Sequence, residues 1–385
     1  MLSAATFLIF FQAFMVAPLI PRLADELGAA TRLTGLIVPA YMISYGVATL
    51  VYGLASDHVG RRRLMFGSLT AFVVLTAATA TAQSVEQLIA WRLATGLGAS
   101  GVVPLALVLI GQMYPFEERG RPLGWLFAAM AGGMAFGSSL GALAEPVIGW
   151  RGLFLAVAAL SAVVVGALLP HRRGLGERPA HPTGSVAAGL LDGYRELVRQ
   201  RRGRRTYSYV LLNSIFHSGV YTWLGLYFVQ RHGLGEVGIA IAILGYGIPG
   251  FLFGTAIGKA ADRWGRRLIL PVGLAVGAVG AAALIPTTTV VVAGVAVLVL
   301  SLGYDLTQPL FAGIVTGLGG KRPGQAMGLN VFLLFTGLGL GSYIFGELLR
   351  VGLSTALVVF AVGELVLAVL ATVLFRGERP GAGTR

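Results

Sequence analysis

Long apolar runs separated by short polar connections recur along the whole chain. They fall at about 3–21, 33–55, 64–82, 87–112, 123–147, 152–169, 207–230, 237–257, 268–285, 289–316, 325–349 and 352–375. A helix needs about 20 mostly apolar residues to cross a hydrocarbon core ~30 Å thick. The pattern therefore predicts twelve transmembrane helices. Strands of a membrane barrel would alternate apolar and polar positions in segments of about ten residues. These runs are too long and too uniformly apolar for that. The connections leave no room for a soluble domain, so the expected fold class is an all-α polytopic membrane protein.

Composition agrees. Of 385 residues, 56% are hydrophobic and 12% charged, whereas a soluble domain carries about 25% charged residues. Disorder would need low hydrophobicity and high charge. The 56 glycines suit helices that pack backbone to backbone through small residues. With no cysteine, disulfides, zinc-thiolate sites and thiol nucleophiles are excluded. The first apolar run starts at once, with no basic stretch before it, so no cleavable signal peptide is expected.

The net charge of +13 would suggest a nucleic-acid partner in a soluble protein. Its location says otherwise. With both termini on one side, that side holds Arg61, Arg62, Arg63, Arg119, Arg121, the arginines from Arg172 to Arg205, Lys259, Arg263, Arg266, Arg267, Lys321 and Arg322. The opposite loops hold Arg22, Arg32, Arg151, Arg231 and Arg350. Excess Lys and Arg mark the cytoplasmic side, so the basic charge reports topology and no nucleic acid is expected. The chain is expected in the cell membrane (the inner membrane in a two-membrane cell), with both termini cytoplasmic.

The long polar segment 170–206 separates spans 1–6 from spans 7–12. Residues 1–169 and 207–385 are thus expected to form two six-helix bundles joined by a cytoplasmic linker. Its second part, around Gly189–Arg205, has the periodicity of a basic helix on the membrane surface. The halves repeat. GLASDHVGRRR, from Gly53 to Arg63, follows span 2, and GKAADRWGRR, from Gly258 to Arg267, follows span 8. GRPLG at 120–124 answers GQAMG at 324–328, and Gly133, Gly137 and Ser138 answer Gly337, Gly341 and Ser342. Pseudo-symmetric halves with a site between them are a transporter architecture.

On these motifs the whole chain resembles a major facilitator superfamily transporter. GLASDHVGRRR is similar to the signature loop of that superfamily. Trp91 to Gly98 in span 4 contains an R-x-x-x-G-x-G element like that of its twelve-helix drug:proton antiporter branch, and Pro18-Leu19-Ile20-Pro21 also resembles that branch. Two positions depart from the branch pattern. Ser138 stands where proline is usual, and span 1 offers Gln12 where many members carry a carboxylate. The resemblance implies that Asp57 and Arg61 form a cytoplasmic gating latch, with Asp262 and Arg266 as the second-half counterpart; the alternative is that all four only set topology.

Gly133, Gly137 and Gly141 share one face of span 5, as do Gly337 and Gly341 on span 11, a spacing that lets helices approach closely. Ionisable groups inside the membrane are costly and mark cavities or partners. Here they are Arg92, Glu145, His217, Asp305, Glu347 and Glu364. Glu145 and Glu347 lie near the outer ends of their spans, where interfacial water is within reach. Glu364 is isolated in the middle of span 12. Tyr209, Asn213, His217 and Tyr221 recur every four residues on span 7, and Ser301, Tyr304, Asp305 and Gln308 share a face of span 10. The resemblance implies that spans 1, 4, 7 and 10 line a central cavity. Asp305, His217 and Arg92 are then the candidates for proton coupling. Gln12, Tyr45, Ser100, Asn213, Tyr221, Trp223, Tyr304 and Gln308 are candidates for the cavity wall. His217 and Asp305 each lie about eleven residues from the cytoplasmic end of their span, ~17 Å deep, so their depth allows a contact; that their faces meet is what the resemblance implies.

No nucleophile elbow or metal-binding pair is present, so an enzyme is not expected, nor a cofactor or metal. The expected function is proton-coupled efflux of small amphipathic or hydrophobic compounds by alternating access. Import by proton symport is the alternative, permitted by the missing carboxylate in span 1. The expected partners are a small-molecule substrate, protons and membrane lipids, and one chain is expected to suffice.

Overall fold

In a computed structural model, the described residues are 2–59, 61–113, 120–170, 186–318 and 323–378. Among them the regular structure is helical, with no strand. Each of the twelve expected spans finds its helix. Spans 2, 3 and 4 are carried by Ile37–Val59, Arg61–Thr79 and Val85–Ala99 with Val102–Met113. Spans 9 to 12 are Arg266–Ala283, Val290–Leu318, Pro323–Leu348 and Leu353–Leu374. Nine helical stretches among the described residues are long and apolar enough to cross a membrane. One of them runs through both spans 5 and 6. The helices of spans 3 and 7 fall short of the measure because Arg61–Arg63 open the first and a basic turn and a polar stripe interrupt the second.

Several spans are broken along their length. Span 1 ends its first helix, Leu2–Phe14, before Pro18 and resumes at Ile20–Glu26. Proline has no N–H to continue the ladder. Span 7 breaks in the corresponding place, between Arg201–Thr222 and Leu224–His232. Span 8 breaks between Glu236–Ile243 and Ile248–Trp264, where Gly247 has φ of 85°. The helical run Gly120–Leu168 is interrupted at Gly149, with φ 68° and ψ 163°, a conformation open essentially to glycine alone. That interruption separates spans 5 and 6.

Packing repeats between the halves. Span 1 lies along span 5, and span 7 along span 11. A Cβ added to Gly133, Gly137 or Gly141 would run into Phe7, Phe11 or Met15, and one added to Gly337 or Gly341 into Leu211 or Ile215. The small residues therefore set the approach distance in both pairs, as their spacing predicts. Span 2 packs on span 11 and span 5 on span 8, joining the halves.

Part of the linker, Val186–Arg199, is helical, but this helix stops at Arg199 and Arg201–Arg205 form the first turns of span 7. The expected surface helix is thus shorter than its periodicity predicts. Arg202 donates to both oxygens of Glu378 at 2.8 and 2.7 Å, and Arg205 donates to it too. This ties the start of span 7 to the end of span 12. Burial would raise the Glu378 carboxyl, but the hydrogen bonds and charges of Arg202 and Arg205 outweigh it and hold the group below the usual carboxylate range.

Candidate transport site

The first helix of span 1 ends at Phe14; Met15 N–H still serves the Phe11 carbonyl, and the next two carbonyls, of Gln12 and Ala13, are left for side-chain donors. Arg92, fully buried on span 4, fills that gap. Its guanidinium donates to the carbonyls of Ala13 at 3.3 Å, Gln12 at 3.5 Å and Ile37 at 3.2 Å, and to Gln12 Oε1 at 2.9 Å. The face of Tyr41 lies 4.2 Å away, within cation–π range. A cation at a helix C-terminus is favoured by the exposed carbonyls and the dipole. Gln12 is therefore held by Arg92, and both are sealed from open space.

Asp305 is half-buried on span 10. Its Oδ2 accepts from the Ser301 hydroxyl at 3.3 Å, and that hydroxyl in turn accepts from the backbone N–H of Gly247 at 2.7 Å. The other carboxylate oxygen sits where a Cβ on Gly250 would fall. Glycine at both positions is what lets span 8 lie this close. Gly247 also faces the other half, since a Cβ there would come 2.8 Å from the methyl of Ala135 on span 5. One hydroxyl thus connects the acid on span 10 to the break in span 8 and to a contact between the halves. Asp305 forms no ion pair among the described residues.

His217 does not meet Asp305, contrary to the expected contact. Its ring stands edge-on to Tyr304, with centroids 4.9 Å apart, and its other side faces Gly277 of span 9. Neither ring nitrogen has a hydrogen-bond partner among the described residues. The two residues agree in depth, but depth leaves rotation free. Successive helical positions point about 100° apart, so Tyr304 turns to span 7 while Asp305 turns to span 8. The polar stripe of span 7 is likewise divided. Tyr209 donates to the Leu367 carbonyl of span 12, and Asn213 donates to Thr307 of span 10 at 2.9 Å. Gln308 reaches Ser214 at 3.4 Å, and Tyr221 lies against Phe14 and Tyr246.

Of the expected cavity residues, Tyr304 and Gln308 are half-buried beside Asp305. Tyr45, Asn213 and Tyr221 are buried. Ser100 is also buried, its hydroxyl turned back onto the Leu97 carbonyl. Trp223 is buried, donating to Ser342 O at 2.9 Å. Ser100 and Trp223 thus each find a hydrogen-bond partner inside the packed helices.

Aromatic rings fill the seam between the halves. Tyr45 stacks on Phe335 with centroids 4.0 Å apart, Phe10 meets Phe335 edge-on at 6.1 Å, and Phe14 meets Tyr221 at 5.5 Å. Phe10, Phe14, Tyr41, Tyr246 and Phe335 escape a sequence reading, since an aromatic inside an apolar span looks the same whether it faces a cavity, a neighbour or lipid. Glu145 is buried and 3.8 Å from Arg22, so it does not rest in interfacial water as its place near the helix end suggests. Glu364 is buried with both carboxyl oxygens unpartnered among the described residues. Of the gating set, the side chains of Asp57, Arg61 and Asp262 lie outside the described residues. Arg266 lies against Gly313 of span 10.

Two helical halves, joined by spans 2 and 11 and by spans 5 and 8, with polar groups buried between their helices, define a multi-pass membrane transporter. The sequence profile of the Major Facilitator Superfamily matches residues 2–342, and the chain belongs to that family. It is 25% identical over 351 residues to the uncharacterized MFS-type transporter YceJ of Bacillus subtilis (strain 168), covering 89% of this chain and 86% of the relative. Multidrug resistance protein 1 of the same strain is 23% identical over 338 residues, covering 86% and 84%. A chloramphenicol resistance protein of Streptomyces lividans is 28% identical over 256 residues, covering 65% and 63%. Among solved structures, an inward-facing, occupied bacterial homolog of the human lysosomal transporter Spinster superposes with TM-score 0.78 at 16% identity, over 99% of this chain and 96% of that one. The human organic anion transporter MFSD10 (TETRAN) does so with TM-score 0.73 at 19% identity, over 96% and 98%. These likenesses show the fold. Members of the family bind and carry small molecules across membranes.

Proposed function

We propose that this transporter exports small amphipathic or hydrophobic compounds in exchange for protons, with Asp305 as the group that carries the proton. The observation behind this is the chain Asp305–Ser301–Gly247, which ends on Ala135 of the opposite half. A charged carboxylate inside the membrane is costly without a partner, and among the described residues Asp305 pairs with no cation. A proton can satisfy it, and so can the cationic end of a substrate, so the two compete for one place. Loss or gain of that charge changes what Ser301 can donate to, and so acts on the span 5–span 8 contact. The aromatic seam suits apolar and amphipathic solutes. Relatives named for multidrug and chloramphenicol resistance agree with this reading.

In this account Arg92 holds the break of span 1, and Asp57, Arg61, Asp262 and Arg266 latch the cytoplasmic end. Residues 1–169 and 207–385 are the moving bundles, residues 170–206 the tether, and the protein spans the cell membrane (the inner one in a two-membrane cell) with both termini in the cytoplasm. One chain is the working unit. Import by proton symport is the second reading, favoured by Gln12, which gives Arg92 an amide where an acid would allow span 1 to carry a proton. Flux into or out of proteoliposomes under an imposed pH gradient tests the proposal: export requires substrate to move against the proton gradient, and co-directional movement means symport.

A further inference from the structure

At the end expected to face outside, Arg32 from the start of span 2 donates to Glu347 of span 11 at 2.5 Å. Arg350 holds the other carboxylate oxygen at 3.2 Å. Among the ion pairs formed between described residues, Arg32–Glu347 is the one that joins the two halves. Both side chains are partly exposed, and an exposed pair contributes little by itself. Directly beneath lies Trp223, 2% exposed, at the break of span 7. Its Nε1 donates to the Ser342 carbonyl at 2.9 Å. Its six-membered ring occupies the space a side chain would need at Gly35 of the opposite half and at Gly346. Next to it, the two breaks also meet: a Cβ on Gly225 would come 2.9 Å from the Pro18 carbonyl. Arg32, Gly35, Trp223, Ser342, Gly346 and Glu347 line one small shared pocket.

We propose that Trp223 is the plug of the outer gate and that Arg32 and Glu347 register the halves so that its indole seats on Gly35. A tryptophan provides a large, rigid apolar body with one polar handle. Here the handle is fixed within its own half, and the body crosses to the other. Opening this end requires the indole to leave Gly35 and Arg32 to part from Glu347. Neither step needs a change at Asp305. The inference rests on alternating access and not on the coupling ion, so an error in the proton assignment leaves it standing.

The test uses a single reporter thiol in a chain that has none of its own. Thr336 lies on span 11 where its backbone runs past Gly46 of the other half, about three turns below Glu347, or ~16 Å. In the Thr336→Cys background, labelling by a membrane-impermeant maleimide is followed from each face of oriented vesicles. Trp223→Ala is expected to raise labelling from the Arg32 side at least tenfold and to lower it from the opposite side, with Trp223→Phe intermediate. Glu347→Arg is expected to raise outer labelling several-fold, and adding Arg32→Glu to restore the slow rate. Unchanged outer labelling in Trp223→Ala overturns the plug. A rise on both faces means general loosening and overturns it too. A charge-swapped double variant as fast as Glu347→Arg alone removes the registering role.

Discussion

Asp305 is joined to Gly247 through a single hydroxyl, that of Ser301, which donates to the carboxylate at 3.3 Å and accepts the glycine N–H at 2.7 Å. The geometry makes Ser301 a positioning residue: it touches the acid and the break of span 8 without being the proton carrier. A hydrogen bond to a charged group is worth about 1.5–3 kcal/mol. Ser301→Ala should therefore slow proton-driven flux by about tenfold or more while substrate binding is largely kept. Ser301→Thr keeps the hydroxyl and should retain most of the rate. Flux and binding measured on the same preparations check this; equal losses of both would place Ser301 in the substrate site instead.

Arg92 donates to several carbonyls, and its removal takes the side-chain donor from the Gln12 and Ala13 carbonyls at the end of the first helix of span 1. Each unpaired buried group costs about 1–3 kcal/mol. Arg92→Gln should lower the thermal midpoint of the purified protein substantially. Arg92→Lys should recover only part of it, because one ammonium cannot serve carbonyls on spans 1 and 2 together. The shape of the pH–flux profile should stay as in the wild type for Arg92→Lys. A displaced profile would restore Arg92 to the proton pathway.

Much of this architecture is legible in the sequence because crossing a membrane requires long apolar runs, and because glycine spacing directly limits how closely helices approach. Gly133, Gly137 and Gly341 do what their spacing predicts. Ser301 and Asp305, one helical turn apart, could be placed on one face of span 10 in the same way. What could not be read was the partner of each face. The bond from Gly247 to Ser301 joins separate spans. The break at Trp223, unlike that at Pro18, has no proline to announce it. Depth put His217 level with Asp305, and helix rotation turned them to different neighbours.

Outside the membrane, Glu378 gives a pH-dependent handle. Its carboxyl is held below the usual range while Arg202 and Arg205 pair with it. A depressed folded-state value means that its stabilisation is fully present above the ordinary carboxylate pKa, about 4, and is lost as pH falls through the lowered value. Glu378→Gln should thus lower the melting temperature at neutral pH, by the equivalent of about 1.5–3 kcal/mol. The gap between variant and wild type should close only at acid pH. A gap that is constant down to pH 3 would mean that the ion pairs contribute nothing.

The central claim is that Asp305 couples substrate movement to protons, and one measurement addresses it directly. Wild-type and Asp305→Asn proteins are reconstituted into proteoliposomes, and substrate flux is followed first under an imposed pH gradient and then as exchange with no gradient. Asparagine keeps the shape and the bond to Ser301 but cannot carry a proton. The account predicts that Asp305→Asn loses gradient-driven uphill flux while gradient-free exchange remains in part. Uphill transport by Asp305→Asn at the wild-type rate would contradict it.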